Sequence, residues 1–286
     1  MRALELNDGA CLAYLDEGEG APILLVHGWA AHSGFFAEAR RRLSQSHRVL
    51  SVDLRGHGRS SVGSAALTIE TLGADLASFA EALDLTDIVA VGWSMGAMAL
   101  WAAEPRLAPR LSGLVIAEMS PALINNGADW PCGLAGYQAS DVERTVADIL
   151  ADWPAHVERF APRLFSARAD GAAPDLLDWT VREMKANDPN SMAAFWRSMA
   201  AKDYRAALKR MTTPTLIIRG EDSQTYPDGA TAFIAAAMPN ATREVYPRAG
   251  HAPHLERPDL FDASIKAFAR VHQNGADAFT RAQNGA

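Results

Sequence analysis

Five short runs of almost unbroken apolar residues constrain this chain more than any other feature: Ile23-Leu24-Leu25-Val26, Val49-Leu50-Ser51-Val52-Asp53, Ile88-Val89-Ala90-Val91, Leu114-Val115-Ile116-Ala117 and Thr215-Leu216-Ile217-Ile218. A strand with one face in water alternates apolar and polar residues, so a continuous run marks a strand buried on both faces. Burial of that kind requires crossover helices above and below a mostly parallel sheet. The intervening segments supply them, with helical patterns over Phe36 to Leu43, Ile69 to Leu83, Met95 to Ala103, Ala230 to Met238 and Leu260 to Val271, the last opened by Pro258. Arg243-Glu244-Val245-Tyr246 reads as a final, more exposed strand. The expected fold class is therefore α/β, doubly wound.

This rhythm stops in the middle of the chain. Residues 122–205 offer helical periodicity and aromatics but no convincing strand, and are expected to form a helical cap inserted into a core of residues 1–121 and 206–273. Residues 274–286 read as a polar, Ala-rich tail with little to pack. Four of the seven tryptophans (Trp130, Trp153, Trp179, Trp196) fall in the cap, beside Phe160, Phe165 and Met184. Packing between small helices accounts for such rings; the functional reading is that some of them, Trp130 and Trp153 foremost, line an apolar substrate pocket together with Trp93.

Charge and composition exclude several function classes. The formal net charge is −7 and the longest basic run is Arg40-Arg41-Arg42, which disfavours nucleic acid as a partner. No run approaches the roughly 20 apolar residues of a membrane span, and the first residues lack the apolar stretch of a signal peptide. Cys11 and Cys132 have no CxxC or Cys/His companion pattern, so free thiols, no metal site and a cytoplasmic location are expected. There is no G-x-G-x-x-G after a strand and no P-loop, and no cofactor is expected.

Chemistry concentrates in Gly92-Trp93-Ser94-Met95-Gly96, a G-x-S-x-G sequence directly after one apolar run and at the opening of a helical one. Small residues on either side let strand and helix approach while the serine is held in a strained turn with its hydroxyl exposed. The following helix offers free N–H groups and the positive end of its dipole to a developing oxyanion. His27-Gly28-Trp29 follows the first apolar run, Asp53-Leu54-Arg55-Gly56-His57-Gly58-Arg59-Ser60 the second, and Gly250-His251 the last strand.

In these motifs and their order the chain resembles the α/β-hydrolase superfamily, over roughly residues 20–121 and 206–272. The resemblance implies Ser94 as nucleophile, His251 as base, and an oxyanion hole formed by the backbone of Trp29 and Met95. It gives His57 and His27 structural parts, the latter as a buttress of the oxyanion loop. His254, three residues after His251, is the competing base.

The third member departs from the common pattern. Where many relatives carry the acid, in the frame set by Gly220 and Pro227, this chain has Ser223, with Asp222 one residue early. Other branches put the acid after the strand that follows the nucleophile's helix, here Glu118. Glu118 is the preferred acid, Asp222 the alternative and Glu221 a remote third. The function implied is hydrolysis of a small or medium apolar carboxylic ester. Lactone, thioester or carbon-carbon hydrolysis and cofactor-free oxygenation use similar parts. A ligand-binding receptor with a vestigial site is the reading from a different class.

Overall fold

The structure, a computed structural model, describes residues 1–168 and 174–283. Eight strands form one sheet: β1 (Arg2–Glu5), β2 (Cys11–Glu17), β3 (Pro22–Val26), β4 (Arg48–Val52), β5 (Ile88–Trp93), β6 (Leu111–Ala117), β7 (Thr215–Gly220) and β8 (Ala241–Tyr246), in the order β1-β2-β4-β3-β5-β6-β7-β8. The pairs β1–β2 and β2–β4 are antiparallel and every other pair is parallel. Each residue of β5 is buried, as are the last four of β3, which is what a strand covered on both faces requires. The helices of the core are α1 (Ala37–Leu43), α2 (Ile69–Ala82) and α3 (Met95–Leu107) before the cap, and four more after it. Helix α2 starts where the Thr68 hydroxyl accepts a hydrogen bond from the Thr71 amide at 3.1 Å.

The sheet's topology decides where a ligand can sit. Strand β3 lies between β4 and β5, so the winding reverses there and leaves a crevice beyond the C-terminal ends of the strands. Val26 is paired with Gly92, which sets the segment after β3 beside the segment after β5. Trp93 is paired with Ala117, and Ala117 with Ile218, so the residues after β6 and β7 emerge at the same end.

Between β6 and β7 the described residues form α4 (Asp141–Ala151), α5 (Trp153–Phe160), α6 (Pro174–Lys185) and α7 (Pro189–Ala200), with isolated bridges at Ala122–Asp203 and Asn126–Trp130. Met192, Phe195, Trp196 and Met199 fall on one stripe of α7 and are all buried. The Asp188 carboxylate caps this helix by accepting from the Ser191 amide at 2.8 Å. The chain returns to the sheet through α8 (Arg205–Leu208), and α9 (Asp228–Ala237), α10 (Pro253–Glu256) and α11 (Pro258–Gln283) complete the fold. Helix α1 packs on α11 and α2 on α3, two helix layers that cover the sheet.

The mostly parallel α/β sheet matches the class read from sequence; two features differ from the expectation. The β1–β2 hairpin was not legible as strands, because β1 is an exposed edge and β2 has only Leu12, Ala13 and Tyr14 buried. At the other end, α11 does not stop at Val271 but runs on through Gln283. The buried Gln273 amide donates to the carbonyls of Pro22 at 3.0 Å and Asp87 at 2.9 Å, tying the helix to the start of the parallel strands. Residues 169–173 of the expected cap and 284–286 of the expected tail lie outside the described residues.

Close approach at the crevice depends on glycine. A Cβ on Gly96 would stand 2.3 Å from the Val26 carbonyl oxygen, and one on Gly92 2.7 Å from the backbone of Ala97. Both obstacles are main chain and cannot rotate away. Gly96→Ala should therefore force α3 off β3 and destabilise the fold by about 1–3 kcal/mol, as overpacking does; equilibrium urea unfolding measures this, and an unchanged midpoint would refute it.

Candidate active site

Ser94 sits between β5 and α3 with φ 52° and ψ −121°, a backbone region that L residues with a side chain rarely enter. Its amide donates to the Ala117 carbonyl at 3.0 Å and its carbonyl accepts from the Ala97 amide at 2.8 Å, so both sides of the turn are pinned. The hydroxyl reaches His251 Nε2 at 3.0 Å. His251 Nδ1 faces Glu118 Oε2 at 3.2 Å, which closes a serine-histidine-carboxylate line drawn from the ends of β5, β8 and β6. His251 and Glu118 are buried, whereas Ser94 is half-buried.

Glu118 itself takes a positive φ of 50° immediately after β6. Its Oε1 accepts from the Gly220 amide at 2.8 Å, with Arg219 Nη1 at 3.5 Å, and its Oε2 accepts from the Ser223 hydroxyl at 2.7 Å. Asp222 is not brought to the histidine. Its carboxylate accepts from Arg168 Nε at 2.5 Å, Arg168 Nη2 at 2.9 Å and the Ser166 hydroxyl at 2.9 Å, and the Arg168 guanidinium holds it below the usual carboxylate range. Glu221 also faces Arg168, at 3.6 Å. The physical reason is the turn that follows β7: the amides of Glu221 and Asp222 are tied to the carbonyls of Tyr246 and Ala249 and the Ser223 amide to that of Gly220, which leaves Asp222 on the Arg168 side and Ser223 on the Glu118 side.

The loop after β3 brings Trp29 beside the elbow. A Cβ on Gly28 would lie 3.2 Å from the Ser94 Cβ, so these two turns touch. His27 holds the loop from beneath. Its Nδ1–H donates to the Gly28 carbonyl at 2.8 Å and its Nε2 accepts from the Leu54 amide at 2.9 Å, which fixes a neutral ring; burial pushes its pKa down to about 3. From above, the cap holds the same loop. Asn187 donates to the Ala30 carbonyl at 2.8 Å and the Trp29 indole N–H to the Met192 carbonyl at 2.9 Å. Met95, the first residue of α3, carries one of the N–H groups that a helix leaves unbonded.

The sequence-expected pocket residues divide three ways. Trp153 stands edge-on to Trp29, with ring centroids 5.5 Å apart, in a cluster where His156, Phe160 and Trp196 also meet the Trp29 ring. Trp93 lies under the site rather than along a wall. It is 2% exposed, packed between Phe35 and His254, and donates through Nε1 to the His251 carbonyl at 2.7 Å. Trp130 stands apart from the Trp29 cluster: its indole donates to the Ala122 carbonyl and its ring meets Phe233 and Arg205, at the junction of cap and core. A cavity of about 340 Å³ opens beside the Trp29 cluster, lined by Tyr137, His156, Phe160 and Trp196 together with the charged side chains of Asp141, Arg144, Asp148 and Arg163, and by neither Ser94 nor His251. Sequence reasoning missed Asn187, Tyr226 and the part taken by Ser223. Tyr226, whose ring lies 5.5 Å from that of His251, had no signal beyond its place next to Pro227.

A model of the alpha/beta hydrolase family matches residues 23–263, and the chain belongs to that family. Among curated proteins it is similar to a pimeloyl-[acyl-carrier protein] methyl ester esterase of Nitrosospira multiformis, 28% identical over 256 residues that span 88% of this chain and 96% of the relative. Among solved structures it resembles an esterase from Exiguobacterium antarcticum, with TM-score 0.87, 22% identity and coverage of 94% of this chain and 98% of the other. A thermophilic esterase from Thermogutta terrifontis gives TM-score 0.82 at 26% identity, covering 95% and 100%. No helix among the described residues is long and apolar enough to cross a membrane.

His254 does not approach Ser94. It is buried against Phe36, Trp93 and Phe261 with both ring nitrogens unpartnered, and burial pushes its pKa down to about 3, as it does for His57. A histidine near 6.5 when unfolded and near 3 when folded binds its proton in the unfolded chain first. Its contribution to stability is full above pH 6.5 and is lost as pH falls toward 3. Between pH 7 and pH 5 the loss is about 2 kcal/mol for each such ring. His254→Leu should leave the fold intact and reduce the pH 7 to pH 5 drop in unfolding free energy by about that amount. Urea titrations at the two pH values measure it, and an identical drop in both proteins would show that His254 is not buried neutral.

Proposed function

We propose that this chain is a carboxylic ester hydrolase that works through an acyl-enzyme on Ser94. The observation that carries the reading is the continuous line from Ser94 Oγ to His251 Nε2 at 3.0 Å and from His251 Nδ1 to Glu118 at 3.2 Å, set on a strained elbow at the sheet's switch point. A serine hydroxyl is a weak nucleophile at neutral pH until an imidazole accepts its proton. In this reading Ser94 Oγ attacks the ester carbonyl while its proton passes to His251 Nε2. The carbonyl oxygen becomes an oxyanion held by the amides of Trp29 and Met95; one such donor is worth about 2.7–4 kcal/mol of barrier. Glu118 fixes the tautomer of His251 and stabilises the imidazolium, which then gives its proton to the leaving alkoxide. Water, deprotonated by the same imidazole, attacks the acyl-enzyme and regenerates Ser94.

The substrate we assign is a small or medium apolar ester. The cluster of aromatic rings around Trp29, where Trp153, Phe160 and Trp196 meet its ring, supports it. Relatives named as esterases fit the same chemistry. A vestigial binding protein would be expected to carry a broken relay, and here each neighbouring pair of the three side chains lies within hydrogen-bond reach.

Ser94→Ala should fold normally and lose on the order of 10³-fold or more in kcat on nitrophenyl esters. It should also escape covalent labelling by a fluorophosphonate; turnover near the wild-type level would end the mechanism. The acid is tested separately. Glu118→Gln keeps the shape but not the charge and should lower kcat strongly with a smaller effect on KM, whereas Asp222→Asn, at a carboxylate bonded to Arg168 and Ser166, should be mild. The reverse ranking would transfer the role to Asp222.

A further inference from the structure

We infer that Ser223 is a positioning residue for the proposed reaction, acting as a clamp that holds the Glu118 carboxylate against His251. The inference rests on the reading of Ser94, His251 and Glu118 as the catalytic line. A glutamate has one more rotatable bond than an aspartate, so its carboxylate needs more fixing to present one oxygen to a histidine. Here the Gly220 amide holds Oε1 at 2.8 Å from the side of β7. Arg219 Nη1 lies 3.5 Å from the same oxygen. Contacts on one oxygen leave the other free to swing, because they do not stop rotation about the last side-chain bond. The contact on the other oxygen is the Ser223 hydroxyl on Oε2, at 2.7 Å. It is shorter than the 3.2 Å contact from the same oxygen to His251 Nδ1, so the serine and not the histidine is the tighter partner.

The donor's own position is fixed independently of Glu118. The Ser223 amide donates to the Gly220 carbonyl at 3.1 Å, and the preceding amides of Glu221 and Asp222 are bonded to Tyr246 and Ala249 at 2.9 Å each. The loop is thereby stapled to the segment that carries His251. One rigid loop thus places both the donor that grips Glu118 and, through Ala249, the approach to the histidine. A hydroxyl is suited to this place: it donates to the carboxylate without competing as a charge for the imidazolium.

A series at one position tests this. Ser223→Ala removes the donor and should lower kcat by about 5- to 30-fold with KM changed less than twofold, since orientation of the acid matters to the transition state and not to substrate binding. The acid limb of the kcat/KM profile should move to lower pH, because a wandering carboxylate stabilises the imidazolium less. Ser223→Thr restores the hydroxyl and should recover most of both effects; Ser223→Cys, a weak donor of similar size, should fall between. Thermal unfolding checks that the variants are folded, and if Ser223→Ala is not, the Cys and Thr variants carry the comparison. An alanine or cysteine enzyme with wild-type kcat and an unmoved acid limb overturns the clamp. If Ser94→Ala retains activity or Glu118→Gln is harmless, the underlying reading fails instead, which separates the two failures.

Discussion

The backbone of Ser94 is the constraint on which the rest of the site depends. A residue at φ 52° and ψ −121° is costly by about 1–3 kcal/mol and persists only where its surroundings over-determine it. Here the surroundings are two hydrogen bonds and two missing side chains. The Ser94 amide is spent on β6 and its carbonyl on α3. Gly92 and Gly96 allow α3 to press onto the ends of β5 and β3 where any Cβ would strike main chain. Once α3 is seated so closely, the turn after β3 has no room to stand away, and Gly28 is drawn against the Ser94 side chain. Strain at one residue therefore fixes the relation between Ser94 and the loop that carries Trp29.

The same device recurs around the crevice. Ala30, Ser94 and Glu118 all take positive φ without being glycine, and each follows a strand of the parallel sheet closely. A strand that simply continued would carry its next side chain away from its neighbours. A sharp left-handed turn throws it back over the strand ends, where the side chains of different strands can meet. Such turns need support from distant parts of the chain, and the structure supplies it: Asn187 of the cap on Ala30, β6 on Ser94, and the Ile218 carbonyl on the Glu118 amide.

That division explains what was legible in the sequence. The buried strands and the elbow are short-range patterns, visible as apolar runs and as G-x-S-x-G, and the histidine is found by its place after the last strand. What required the structure is set by partners far away. His251 and Glu118 are 133 residues apart, and the loop frame offered two carboxylates and a serine with nothing local to rank their directions. Trp93 and Trp130 looked alike as aromatic wall, yet one lies under the His251 carbonyl and the other packs edge-on against Phe233. The β1–β2 hairpin and the long α11 escaped because a hairpin at the sheet's edge and a polar, Ala-rich stretch of sequence show little apolar periodicity. Gln273, polar and near the end, gave no hint of the two distant carbonyls it would serve.

Trp29 joins the two halves of the molecule. In the proposed mechanism its amide belongs to the oxyanion hole, while its ring is the centre on which Trp153, Phe160 and Trp196 of the cap converge within 5.5 Å. The indole N–H is bonded to Met192 of the cap as well. A substrate that displaces these rings therefore pulls on the residue whose amide must meet the oxyanion. Misplacement of a reacting group by about 1 Å can cost on the order of 10²-fold in rate. In that mechanism selectivity need not come from affinity: an acyl group that crowded these rings would bear on Trp29, and the loss would fall on the transition state. The bonds from Asn187 to the Ala30 carbonyl and from the Trp29 indole to the Met192 carbonyl are the means by which helices with no group in the proposed catalytic line would act on that geometry.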